Sequence, residues 1–174
     1  MACNLTSAIA LDCIDSLGGV KTMYVGANIV IASTSYDVDN QITGLTGTGT
    51  FYQYELAKNT ASYTETVNVS DANGTLFASQ ALTFNIQKME AAKRNELLLL
   101  SRNRDIKIIF VDNNDNIWLL GKERGATITA ASAVTGTASG DANQYVMTAT
   151  AEEPAMAYQI DSLSSLSGFT ITNA

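Results

Sequence analysis

A two-residue alternation of apolar and polar positions runs through most of this chain, and it predicts strands. Val20, Thr22 and Tyr24 share one face of an extended segment, with Lys21, Met23 and Val25 on the other. Asn28–Ser33 reads as a second strand after Gly26, and Gly49–Leu56 is rich in β-formers. In 61–70, Tyr63, Glu65, Val67 and Val69 alternate with Ser62, Thr64, Thr66 and Asn68. Asp71-Ala-Asn-Gly74 then supplies a tight turn, because Asn-Gly accepts the positive φ that a short hairpin requires. The strand after it starts at Thr75 and runs through Leu82, Phe84 and Ile86, which face away from Thr83, Asn85 and Gln87. Ile106–Val111, the polar turn Asp112–Asn116 and Ile117–Leu120 form a second hairpin. Ala126–Ser132 and Tyr145–Ala151 bring the expectation to about nine strands, to which Phe169–Thr172 could add one last short strand.

The period changes at Lys88. Residues 88–103 are helix formers with no Gly or Pro, and Met89, Leu97 and Leu100 share a face that Lys93 interrupts. The Gly-, Asp- and hydroxyl-rich segment 34–48 reads as a loop, as does 135–144, and residues 1–19 read as an extended arm. Many short strands and a single helix predict one domain over 1–174, mainly β with one central helix (α+β), an antiparallel β-sandwich or barrel.

Composition removes chemistry. The 174 residues contain no histidine and two cysteines, which excludes Ser-His-Asp and Cys-His nucleophilic systems and His-ligated metal sites. No catalytic, cofactor or metal residue is assigned, and the chain reads as a non-enzyme. Cys3 and Cys13 are expected to be free thiols, and Met1-Ala-Cys-Asn-Leu-Thr lacks the pattern of a secretory leader. The longest apolar run, Leu97–Leu100, falls far short of the roughly 18–20 residues of a membrane helix, so no membrane partner is expected.

Three patterns resemble sites. Asp112, Asn114, Asn116 and Glu123 occupy positions of a calcium loop, but Ile117 stands where that loop needs Gly, so a polar hairpin tip is the better reading. The glycines Gly44, Gly47 and Gly49 lack the Lys-Ser/Thr ending of a phosphate loop. Glu152 and Glu153, adjacent on a strand, point to opposite faces and are expected at a solvated strand end. Trp118, Tyr52 and Tyr54 would be the stacking residues if the protein were instead a carbohydrate-binding sandwich.

Charge is more informative. The net charge is −7, yet Lys88, Lys93, Arg94, Arg102, Arg104, Lys107, Lys122 and Arg124 all lie in 88–124. With its six acids that window carries +2, and the rest of the chain carries −9. The split predicts self-association, in which acidic parts such as Asp37 and Asp39 meet Lys93, Arg94, Arg102 and Arg104 of another copy.

Leu11–Val25, the Asp112–Gly125 hairpin with its Leu-Gly-x-x-x-Gly ending, and the Gly-Asp-x-Asn turn within Thr135–Glu153 resemble segments of tailed-phage virion structural proteins, above all tail tube (major tail) proteins. Gln144 departs from that pattern, which has glycine there. The resemblance implies a homo-oligomeric ring, commonly a hexamer, stacked into a tube around a channel through which DNA passes without specific binding. It also implies other virion proteins as partners and a place in the virion after assembly in the host cytoplasm. Segments 1–19 and 34–48 would reach the next ring, and an acidic lumen would repel the phosphate backbone. Another virion component, such as a head decoration, capsid-associated or neck-ring protein, is the alternative.

Overall fold

The computed structural model describes residues 8–11 and 13–174. Its elements are β1 (Val20–Ala27), β2 (Val30–Tyr36), β3 (Ile42–Glu55), β4 (Ala61–Ser70), β5 (Thr75–Gln87), α1 (Ala91–Arg102), β6 (Ile106–Asp112), β7 (Ile117–Leu120), β8 (Thr127–Val134), β9 (Gln144–Glu153), β10 (Tyr158–Ile160), a 3-10 turn at Leu163–Ser165, and β11 (Leu166–Thr172). The fold is thus mainly β with one helix, built from two largely antiparallel sheets. The expected Cys3 thiol lies outside the described residues, while Cys13 is exposed. Residues 8–11 and 13–18 are exposed and form neither strand nor helix.

The larger sheet has seven strands and closes on itself. The second half of β3 pairs with β1, β1 with β6, β6 with β7, β7 with β10, and β10 returns to Ile42 at the start of β3. β11 runs parallel to β3 along the same edge as β10, and β2 pairs antiparallel with its first half. The smaller sheet is a four-stranded antiparallel meander in the order β4-β5-β9-β8.

Two cores follow from the alternation. Tyr24, Ile42, Leu45, Phe51, Ile109, Leu119 and Ile160 fill the interior of the closed sheet. Met23, Val25, Ile108, Phe110 and Leu120 leave the opposite face of the same strands and pack against Leu82, Phe84, Met147 and Ala149 of the smaller sheet and against Leu97 and Leu100 of α1. β6 is therefore buried on both faces, which explains its unbroken apolar run Ile108-Ile-Phe110.

The segment 34–48 is not a loop. β2 extends to Tyr36 and β3 begins at Ile42, leaving only 37–41 as a turn. Two register shifts, between Ile31 and Ser33 and between Ser35 and Tyr36, break the two-residue period, so buried Ile42 and Leu45 are three residues apart. Its glycines serve close packing: a Cβ on Gly47 would collide with the Val30 carbonyl and the Phe169 ring, and Gly49 has φ +135° with Ile29 against it. The structure has eleven strands: the nine expected, the last short strand, which starts at Leu166 rather than Phe169, and the three-residue β10, which has no periodicity to detect. α1 starts three residues later than its composition suggests. Lys88 takes a left-handed φ of +64°, and Asn143 accepts hydrogen bonds from the Lys88 and Met89 amides, holding them outside the helix.

Phe84 is fully buried where the smaller sheet meets the larger sheet and α1. Phe84→Ala should lower the unfolding free energy by about 3–5 kcal/mol, read by urea denaturation.

Candidate assembly surfaces

The register of the smaller sheet sorts its side chains into two faces. Ala61, Tyr63, Leu82, Phe84, Met147 and Ala149 face the core, so their neighbours in sequence face out. Two outward rows cross all four strands: Ser62, Thr83, Thr148 and Ala130 in one, Thr64, Ala81, Thr150 and Thr127 in the other. Thr83 and Thr148 join hydroxyls across their strands at 3.1 Å. The result is a lattice of small hydroxyl and methyl groups.

No strand of this sheet contains Lys or Arg, and its only charged residues are Glu65, Glu152 and Glu153. Glu152 faces out. Glu153 corrects the expectation of a solvated strand end: it is 3% exposed, and its carboxylate accepts hydrogen bonds from the Glu123 and Arg124 amides at 3.0 and 2.9 Å. Gln80, also buried, accepts the Gly121 amide at 3.1 Å and donates to Glu65, whose Oε1 also accepts the Ala157 amide. Beside them Tyr63 packs on Phe110 at 4.6 Å and buries its hydroxyl, which has no hydrogen-bond partner among the described residues. Burial first, then the Glu65 charge, push its phenol well above the ordinary range. These polar groups pin the 121–125 turn to the smaller sheet.

The edges of this sheet are lightly defended, by a bulge between Ile128 and Ala130 on β8 and by the inward-facing Glu65 on β4. β4 and β8 each have a strand neighbour on one side only. Neither contains Pro, Lys or Arg, the residues that normally block an edge from pairing with another chain.

The charged candidates fall at two places far apart. Asp37 and Asp39 lie in the turn between β2 and β3, where Asp37 Oδ1 accepts the Asp39 and Gln41 amides at 2.9 and 2.8 Å. Val38 between them is 95% exposed. Arg94 and Arg102 lie exposed on α1, and Arg104 lies in the following loop. Lys93 is turned back into its own chain: its Nζ donates to the Gln87 carbonyl at 2.9 Å and lies 3.7 Å from Glu90. Among the described residues, Lys21, Lys88, Lys93, Lys107 and Lys122 form ion pairs, whereas Arg94, Arg102, Arg104 and Arg124 form none.

The remaining candidates are not brought together. Tyr52 and Tyr54 line a groove of about 730 Å³ between β3, β5, α1 and the C-terminal residues 172–174. Burial, then Glu96, push the Tyr54 phenol up. Trp118 lines a different cavity, beside Asp112 and Tyr63. Asp112 is spent on its own turn: Oδ1 accepts the Asn114 and Asn116 amides at 2.8 and 2.9 Å, and Oδ2 lies 3.2 Å from Asn116 Nδ2. Glu123 sits across β7, on the turn held by Glu153. Among the described residues no group of three acids or cysteines is placed to hold a metal ion.

No protein-family model, curated protein or solved structure matches the chain.

Partial burial pushes the Asp112 carboxyl up, but hydrogen bonds from Asn116, Asn114 and Trp118 outweigh it and hold the group below its ordinary 3.8. A lowered carboxyl contributes stability above its unfolded value and loses it as pH falls through its folded value. Asp112→Ala should therefore cost about 1–3 kcal/mol at neutral pH. The gap from the parent chain should close as urea unfolding is repeated at pH values falling below 3.8.

Proposed function

We propose that this chain is a structural subunit of a tailed-phage virion, most like a tail tube protein, that assembles into rings stacked around a DNA channel. The observation that supports this reading is the smaller sheet, whose two edge strands contain no Lys, Arg or Pro and whose outward face is free of basic residues.

Parity makes the ring geometry possible. In the order β4-β5-β9-β8 every neighbour is antiparallel, so the two outer strands also run in opposite directions. β8 of one copy can therefore pair with β4 of the next and remain antiparallel at the seam. The contact is head-to-tail, so it closes into a ring when the rotation per copy fits. Six copies, the number that the resemblance suggests, would supply about two dozen strands. At ~4.8 Å spacing and with the tilt of a barrel these would form a ring roughly 50 Å across, which leaves room for a duplex.

The face that would line the channel suits passage rather than binding. Binding of DNA requires Lys and Arg to displace the counterions of the phosphates. The outward rows offer hydroxyls and methyls with a single carboxylate row at Glu152. The lumen pictured here is weakly negative rather than strongly acidic, because the −9 of the chain outside 88–124 lies mostly elsewhere.

Negative-stain images of the concentrated protein should show rings and tubes. Ala130→Lys with Ser132→Lys places two charges on the β8 edge and should leave a monomer in sedimentation velocity, with a melting temperature within a few degrees of the parent. A parent chain that stays monomeric at every concentration sinks the reading. A second variant probes the channel: Thr83→Lys with Thr148→Lys should make the tubes retain duplex DNA in a filter assay, and rising salt should release it.

A further inference from the structure

The exposed tip of the β2–β3 hairpin and one stripe of α1 carry opposite charge around an apolar centre. The tip reads Asp37-Val38-Asp39, an exposed apolar side chain between two carboxylates. Asp37 Oδ1 and the backbone bonds of the turn fix its shape, so little order is lost on docking. On α1, Arg94, Leu98 and Arg102 follow one another at four-residue spacing and therefore lie in one row. Leu98 and its neighbour Leu99 are 41% and 53% exposed, unusual for leucines on a helix whose Leu97 and Leu100 are buried. Among the described residues neither arginine has an ion-pair partner, although most of the lysines do. Arginine is also the cation enriched in protein interfaces.

A single chain cannot join these two surfaces. The tip precedes Ile42 at the start of β3, whereas Leu99, Leu100 and Glu96 lie against Thr50, Tyr52 and Tyr54 toward its end. Most of a fourteen-residue strand, roughly 30 Å of extended chain, lies between them. Two complementary patches at opposite ends of one body make a head-to-tail contact that continues from copy to copy.

We propose that the Asp37-Val38-Asp39 tip of one copy docks on the Arg94-Leu98-Arg102 stripe of another, with Val38 against Leu98 and Leu99 and the carboxylates on the guanidinium groups. The proposal rests on the ring reading above, and there it is the contact that stacks one ring on the next, separate from the β8–β4 seam within a ring.

The test is a charge swap followed by sedimentation and negative-stain imaging. Asp39→Arg and Arg102→Glu each replace an attraction by a repulsion at exposed positions. Each should raise the protein concentration needed for tube growth by roughly tenfold while single rings persist. The double variant Asp39→Arg/Arg102→Glu should restore tubes, and melting temperatures should stay at the parent value throughout. Tubes that ignore the single swaps overturn the proposal, as do parent rings that never stack. Open fibres without rings that still respond to the swaps support this contact and overturn the ring reading instead. A parent chain that is monomeric at all concentrations overturns both.

Discussion

The structure depends on three strands that must be apolar on both sides. β1, β6 and β7 form a wall shared by two cores, and each side chain belongs to one core or the other by parity alone. A one-residue slip would exchange Met23 with Tyr24, and Phe110 with Ile109, between cavities of different shape. Apart from Lys21 near the start of β1, no side chain of these three strands stands exposed to absorb such an error. The single charge allowed in the interior of the wall, Lys107, is 4% exposed and reaches Asp105 at 2.6 Å at its rim. Once the wall is set, the smaller sheet and α1 have one place to pack, and the buried pair Gln80 and Glu153 locks the 121–125 turn across the junction.

This arrangement frees the other face of the smaller sheet from any structural duty. Its outward threonines and serines meet across the strands, as Thr83 meets Thr148, and the strands that carry them hold no Lys or Arg. The charge split has a similar logic. Lysines in 88–124 form ion pairs within the chain, while among the described residues the arginines form none. The net +2 of that window thus understates the cationic surface left for contact.

Much of this was legible wherever local periodicity decides structure. β4, the Asp71–Gly74 turn, β5 and β7 follow directly from alternation and turn chemistry. The β2–β3 hairpin was hidden, because its bulges shift the apolar positions out of step and its glycines imitate a loop while serving close contact with Val30 and Phe169. β10 was hidden for another reason: its pairing with Ile42 and with β7 is set by partners distant in sequence. Among the candidate contact residues, the segregation of Arg94, Arg102, Asp37 and Asp39 could be read from the chain. The inward turn of Lys93 and the burial of Glu153 could not, since backbone groups of Gln87, Glu123 and Arg124 create them.

The parallel pairing of β11 with β3 has a consequence in time. Leu166 meets Leu45, so about 120 residues separate the partners, and loop closure of that length is slow. On the ribosome, β1 to β9 emerge before the strands that complete the larger sheet. Throughout that interval β3 keeps an open edge beside the open edges of β4 and β8. A chain whose mature edges invite pairing therefore passes through a stage with still more of them exposed, and the pace of synthesis relative to closure decides whether the first partner it meets is its own β11 or a neighbour.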